Sequence, residues 1–243
     1  MFFKLVSPGG GPADARHDER LIALAAEEGP TAMVWQAQQG LVVPRNYQRY
    51  ATFGPTNEAF ARGGWPVTVR QSGGGIVPQG PGIINFSLAY AVDGKPLDHS
   101  DQAYQLICDL ISDTLAQAGV ACRPQAVEGS FCDGRYNLAV DSDSGPRKIA
   151  GTAQLWRRHT LADGSGFRQV VLVHALIIAQ ADIQTMNDMA NRYEAALGSD
   201  KRYQLGRLAQ VADYGNWPTR TEAGITGWLM ETLAVKTATI RPQ

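Results

Sequence analysis

Arg70-Gln71-Ser72-Gly73-Gly74-Gly75-Ile76-Val77 is the stretch from which the fold of this 243-residue chain is read. Three glycines in a row stand between the β-rich runs Val67 to Arg70 and Ile83 to Ala91, so they form a loop between strands. Such a loop lets backbone approach a ligand closely and leaves amide N–H groups free to point at it. An isolated glycine triplet is equally a flexible hairpin, and no Gly-Lys-Ser/Thr follows, so it is not a P-loop. A second segment adds chemistry: Lys148-Ile149-Ala150-Gly151-Thr152-Ala153-Gln154, with Cys132 sixteen positions before its lysine. A cation near a thiol favours the thiolate, the form that attacks acyl groups.

Outward from these segments, residues 1–12 are Gly/Pro-rich and are expected as a flexible, exposed arm. Helical spacing runs from Asp14 to Glu28 and stops at Gly29-Pro30. Trp35 to Pro44 is expected as one extended stretch, and Thr56 opens a short helix closed by Gly63-Gly64. Ser100 is expected to cap a helix whose buried face carries Ala103, Leu106, Ile107, Leu110, Ile111, Leu115 and Ala118. Strands are expected at 136–140, 148–155 and 170–178, and helices at 183–197 and 222–235. The sum is an α+β domain: a mixed, mainly antiparallel sheet with helices packed on it, expected as one domain over 13–243.

The composition narrows the function. Apolar residues make up 44% of the chain, enough for a sizeable core. The 22 Lys plus Arg nearly balance 23 Asp plus Glu, and no basic block occurs, which speaks against nucleic acid as a partner. The longest apolar run, Val170 to Ala179, is interrupted by His174 and falls far short of the ~20 residues of a membrane span, so no membrane is expected. Nor does the start read as a secretory signal. Three unpaired cysteines fit a reducing, cytoplasmic compartment, and no zinc-type spacing or other metal site is present.

Among the cysteines, Cys108 lies beside an apolar helix face and reads as core, while Cys122 sits in a loop. Cys132 differs, in a polar Gly-rich turn with Asp133 and Arg135. Lys148 alone would read as a solvated strand-end lysine. His174, inside an apolar strand, reads as a hydrogen-bonded core histidine before it reads as a base. His159, beside Arg157 and Arg158, could meet an acidic partner, and His17 and His99 look like surface residues.

The two segments resemble the biotin and lipoate protein ligase family. Its lipoate branch carries Arg-Arg-x-Ser-Gly-Gly-Gly-x-Val-x-His-Asp and, later, Gly-Arg-x-Asp-Leu followed by Lys-[Ile/Val/Phe]-[Ala/Ser]-Gly-x-[Ala/Ser]-Gln. The chain matches at Arg70, Ser72 to Gly75, Val77, Gly82 and Asn85, then at Gly134, Arg135, Leu138, Lys148, Gly151, Ala153 and Gln154. Arg45 and the strand Val171 to Leu176 with Asp182 also fall where the family has a strand-end arginine and an HGxLL strand. The resemblance implies a class II synthetase-like catalytic domain. It also implies that Arg70, Ser72, Gly73, Gly74, Gly75, Asn85, Gly151, Thr152, Ala153 and Gln154 bind substrate while Lys148 holds the acyl carbonyl.

The departures point within the family. Val69 replaces one ligase arginine, and Gln79-Gly80 replace the His-Asp pair. Gly129-Ser130-Phe131-Cys132-Asp133-Gly134 looks like the octanoyl/lipoyl transferase branch, in which a cysteine ahead of the lysine motif takes the acyl chain as a thioester. The 61 residues after Asp182 are expected to be too few for the rest of the catalytic fold plus the accessory C-terminal domain of full-length ligases. The expectation is an octanoyl/lipoyl transferase with Cys132 and Lys148 as catalytic residues and no cofactor. Its partners would be lipoyl-domain proteins, namely the glycine cleavage H protein or E2 subunits of 2-oxoacid dehydrogenases, or acyl carrier protein. The alternatives are an ATP- and Mg-dependent lipoate-protein ligase and an inactive lipoyl-protein binding module.

Overall fold

The structure, a computed structural model, describes residues 1–9, 14, 16–217 and 222–242. In chain order it contains β1 (Lys4–Leu5), α1 (Leu21–Glu27), β2 (Thr31–Trp35), β3 (Gly40–Pro44), α2 (Phe53–Arg62), β4 (Val67–Arg70), β5 (Val77–Gln79) and β6 (Ile83–Val92). These are followed by α3 (Pro96–Gln117), β7 (Arg123–Pro124), β8 (Leu138–Val140), β9 (Arg147–Thr160), β10 (Phe167–Ile178), α4 (Ile183–Leu197) and α5 (Glu222–Ala238). The strands form a seven-stranded sheet, β1-β2-β6-β10-β9-β8-β7, and a three-stranded sheet, β4-β3-β5. Among the described strands, only the β1–β2 and β3–β4 pairs are parallel.

Why the 170–179 run is almost wholly apolar follows from its place at the centre of the large sheet. Val171, Val173, Ala175 and Ile177 face α3 and α5 in the main core, while Leu172 and Leu176 face the other way, under α1 and under the small sheet with α4. A strand buried on both faces reads as a continuous hydrophobic run. His174 breaks it because its position opens onto a cleft between those two smaller clusters. Register sets the cleft floor: His174 lies opposite Ser87 on β6 and Ala153 on β9, and Leu176 opposite Asn85 and Gly151.

Several local expectations change. Trp35 to Pro44 is two strands in two sheets, with the polar residues 36–39 carrying the chain across; β2 begins at Thr31. Ser100 lies inside α3 rather than capping it, because Pro96, with its φ preset for a first turn, starts the helix after an extended Lys95. The helix expected from Asp14 is a 3₁₀ turn, His17–Arg20, leading into α1. α2 begins at Phe53, ahead of Thr56, whose hydroxyl donates to Ala196 O at 3.4 Å. The segment expected as an exposed arm is docked at residues 3–6: Phe3 is buried, β1 pairs with β2, and Val6 N donates to Ala32 O at 2.8 Å. Residues 10–12 of that segment lie outside the described residues. α4 spans the expected 183–197, with Asp182 accepting from Thr185 N at its start and Gly198 left-handed at φ 77° at its end.

Candidate active site

The cleft lies between the floor of the large sheet and the small sheet, and Arg70 and Val77, at the two ends of the glycine loop, line it. Arg70, at the end of β4, is buried, and its guanidinium folds that loop onto itself. Nη2 donates to Gly73 O at 2.8 Å and Gly75 O at 2.9 Å, and lies 3.9 Å from Cys132 Sγ. Gly74 has φ 105°, and a Cβ there would stand 2.5 Å from Cys132 Sγ and 2.8 Å from Arg70 Nη2. No side chain fits, so the glycine is what lets the thiol and the cation share this space.

Cys132 has φ 52°, the one described non-glycine residue in the left-handed region, a conformation that is costly unless its surroundings impose it. Three donors impose it here. Lys148 Nζ donates to Phe131 O at 2.6 Å and Cys132 O at 2.8 Å, and Asn137 Nδ2 donates to Cys132 O at 3.0 Å. Lys148 is therefore not the solvated strand-end residue of the plain reading; it is 1% exposed. Gly151 leaves room for it, since a Cβ would meet Nζ at 2.7 Å.

Electrostatics separates the three cysteines. Burial pushes the Cys132 thiol up, but the Lys148 and Arg70 charges and the Gly75 N–H outweigh it and hold the thiol below its ordinary value. Burial drives Cys108 to about 12 and raises Cys122 as well, with no cation to counter it. Burial also lowers Lys148 to about 8, against the opposing pull of the Cys132 thiolate. Lys148 and Cys132 thus titrate as a pair in which ammonium and thiolate sustain each other.

The remaining expected residues divide. Asn85 and Gln79 face each other across the floor in a reciprocal amide pair, 2.9 and 3.0 Å. Gly151, Thr152 and Ala153 line the cleft beside Lys148. Ser72 is turned inward, its Oγ 2.8 Å from His174 Nε2. Gln154 accepts from the Ser100 hydroxyl and Trp156 Nε1 and donates to Ser100 O, pinning the first turns of α3 to β9, and it also borders the groove on the outer side of Cys132. His159 pairs with Glu27 at 3.2 Å within the chain, and His17, expected at the surface, packs against Trp35. Among the described residues no group of three His, Cys, Asp or Glu is placed to hold a metal.

Sequence reasoning did not single out Asp18, Trp35 or Asn137. Asp18 and Trp35 line the same cleft, and Asn137 holds the Cys132 carbonyl. Asp18 could have been marked as an acid within His17-Asp18-Glu19-Arg20 just ahead of an apolar helix, but nothing local says that it is buried. On the far side of Cys132 an outer groove opens, walled by Gly73 to Gly75, Tyr104, Asp133, Lys201 and Tyr203. Cys132 borders both spaces.

With this geometry in place, comparison with known proteins is informative. A family model described as the lipoyl protein ligase A/B catalytic domain matches residues 14–214. An uncharacterized protein of Cupriavidus necator is 45% identical over 87% of this chain and 85% of its own. An octanoyl-[GcvH]:protein N-octanoyltransferase of Kyrpidia tusciae is 35% identical over 72% of this chain, which spans 59% of that relative's length. Among solved structures, a bi-partite lipoate protein ligase of Thermoplasma acidophilum, studied with its E2 lipoyl domain, superposes with a TM-score of 0.64. That match has 17% identity and covers 100% of this chain and 86% of the other, and it supports the shared fold.

Proposed function

The chain belongs to the lipoyl protein ligase A/B catalytic domain family, and from that premise we propose that it is an octanoyl/lipoyl transferase working through a thioester on Cys132. The donor is an octanoylated or lipoylated protein of the GcvH type, as the name of the Kyrpidia relative indicates for that enzyme. The acceptor is a lysine of a second lipoyl-domain protein. In the first half-reaction the Cys132 thiolate attacks the donor's acyl carbonyl. The C–S bond forms, the C–N bond to the donor lysine breaks, and that amine leaves after taking up a proton. In the second, the acceptor amine attacks the thioester, the C–N bond forms as the nitrogen gives up a proton to solvent, and the C–S electron pair returns to Cys132.

One observation carries this reading: a thiol at the cleft edge, held toward thiolate by Lys148 and Arg70, in a space that only Gly74 leaves open. Lys148 has three N–H donors, of which two hold the Phe131 and Cys132 carbonyls. The third remains for the acyl oxygen, on which negative charge builds during attack. The small residues Gly151 and Ala153 leave the floor open for the acyl chain.

The ligase alternative needs an anion site for a triphosphate. At the positions of the ligase family's first arginine and His-Asp pair, this chain has the uncharged Val69 and Gln79-Gly80, and Gln79 is tied to Asn85. ATP therefore takes part in no step of this mechanism. An inactive binding module would have no use for a thiol activated in this way.

The test is intact-protein mass after incubation with octanoyl-GcvH or octanoyl-acyl carrier protein, with and without ATP. An octanoyl adduct that forms without ATP, is removed by hydroxylamine and is absent from Cys132→Ala is the expected result. Adduct-free enzyme that consumes lipoate and ATP would establish the ligase instead.

A further inference from the structure

At the start of the glycine loop the chain carries a charge arrangement that the two half-reactions above do not use. Gln71, between the buried Arg70 and Ser72, holds its amide oxygen between two exposed arginines. Arg45 Nη1, just past β3, donates to it at 3.3 Å, and Arg157 Nη2, on β9, at 3.2 Å. Neither arginine has an ion-pair partner among the described residues. Glu19 Oε1 accepts the Gln71 N–H at 3.3 Å, and burial pushes its carboxyl above the usual range. One partly buried acid thus stands against two guanidinium groups that share a single neutral acceptor. Like charges held this close repel, and the anion that two such forks match is a carboxylate.

The strand order places this pair at the rim of the outer groove. Ala153 on β9 borders both the inner cleft and the groove, and Leu155 and Arg157 follow it on the same face of the strand. Four residues of strand set Arg157 ~13 Å beyond Ala153. On the loop, Gln71 stands two residues before Gly73, which walls the groove. A standard protein interface covers ~800 Å² on each side, a disc of ~16 Å radius. A folded domain seated over the groove with its arm at Cys132 therefore covers both arginines. Elsewhere the groove wall carries Lys201 and Arg202, also exposed and also without an ion-pair partner among the described residues. Asp133 is the one acid that lines it among those residues. In a chain of net charge −1, the entrance to the thiol is cationic at two places.

We propose that Arg45 and Arg157, with Lys201 and Arg202, form the docking surface for the carrier protein, and that the partner it fits is a domain whose surface around its lysine arm is acidic. This rests on the reading above that a protein-borne lysine reaches Cys132. A carboxylate of the carrier enters between the two guanidinium groups, where Gln71 Oε1 holds them together in the free enzyme. The pair lies well away from the sulfur, so it acts on which protein is admitted and how fast it arrives, and not on bond making. Attraction between exposed charges reaches out into solvent and is screened by salt. A free octanoyl thioester without a protein attached has no use for the surface.

The experiment sets two octanoyl donors against each other: octanoyl-GcvH, and the small, uncharged octanoyl thioester of N-acetylcysteamine. Loading of wild type is compared by intact mass with loading of the double variants Arg45→Gln with Arg157→Gln and Arg45→Glu with Arg157→Glu. With the protein donor, kcat/KM should fall about tenfold in the glutamine variant, through KM, and further in the glutamate variant, while the small thioester loads within about twofold of wild type. Added sodium chloride should slow wild type with octanoyl-GcvH and leave the glutamine variant nearly unchanged. Lysines in place of the acids beside the carrier's arm should restore part of the rate of the glutamate variant. Arginines that merely brace the loop through Gln71 would slow both donors alike when removed, and that result overturns the docking surface. Equal kcat/KM for octanoyl-GcvH in wild type and the glutamate variant overturns it too. Titration of Cys132→Ala enzyme with unacylated GcvH needs no chemistry. Binding that the arginine changes loosen, in an enzyme that neither donor loads, would keep the surface and remove the thioester route.

Discussion

Lys148 and Glu194 are both ionisable and both buried, at 1% and 0% exposure, yet they are built into the molecule in opposite ways. Lys148 sits where side chains have been removed: Gly74 and Gly151 leave space, Cys132 takes a left-handed backbone, and the cleft reaches the thiol. Glu194, on α4, is closed in by aromatic rings. Its Oε1 accepts the hydroxyls of Tyr47 and Tyr203, the latter at 2.7 Å, while the neighbouring Tyr193 donates to Asn57 and packs edge-on against Phe60. Burial and the carboxyl push the Tyr47 and Tyr203 hydroxyls up, so they stay protonated and keep donating. Burial of charge alone therefore does not mark a site. Clearance around the charge, together with strain held beside it, does.

The two clusters touch. Tyr203 lies edge-on to Phe131 at 6.4 Å, and Phe131 offers its carbonyl to Lys148. The sealed cluster is thus the footing of the open one, which makes the contrast testable in both directions.

The largest effect is expected at Cys132→Ala, which should abolish acyl transfer and leave the melting temperature almost unchanged, read by transfer assay beside a thermal melt. A variant that still transfers would show that the open cluster is not the seat of the chemistry. Next is Lys148→Met, which keeps the volume of the stem. Transfer should fall by two orders of magnitude or more, because one charge-stabilising donor in a shielded site is worth ~3 kcal/mol of barrier. Removing that cation also removes what favours the thiolate, so the Cys132 pKa rises and the midpoint of its alkylation by iodoacetamide moves to higher pH. In wild type, Cys132 should alkylate at neutral pH while Cys108, pushed up to about 12, stays unreacted.

Smaller changes sharpen the comparison. Gly74→Ala forces the thiol and the Arg70 guanidinium apart and strains a residue at φ 105°. Transfer should drop by roughly tenfold or more, and the melt by roughly 1 kcal/mol in stability. Glu194→Ala should do the reverse. Leaving two buried hydroxyls unpartnered costs ~1–3 kcal/mol of stability, while transfer per folded molecule stays within about twofold of wild type. A loss of transfer as large as that of Lys148→Met, with a normal melt, would erase the distinction between the two clusters.

What could be read from the chain, and what could not, follows the same division. The long regular elements were legible because their signals are local: the α3 stripe from Ala103 to Leu115, the 183–197 span of α4, and the β-branched runs of β6 and β10. The cysteine, the lysine and the glycines were legible because glycine beside a cation or thiol is visible in one dimension. Asp18 was not, since its partners Ser87 and His174 stand far along the chain and only the register of β6 against β10 brings them together. The split between β2 and β3 was missed for a related reason, as nothing local says that two adjacent strands belong to different sheets. The hold of Gln154 on α3 was hidden in the same way, since only the early start of that helix brings Ser100 to its amide.

Cys132 borders both the inner cleft and the outer groove, and this has a kinetic meaning. On the proposed thioester route, a carrier protein that delivers an acyl chain and one that removes it must each bring a lysine arm to the same sulfur through the same outer groove. They cannot occupy it together, so they take turns. Initial-rate lines at different acceptor concentrations should run parallel, and unacylated acceptor in excess should compete with the loaded donor for free enzyme. The acyl chain, meanwhile, stays inside while the proteins outside change places, so an enzyme that holds one intermediate could serve several acceptors without ever binding two at once.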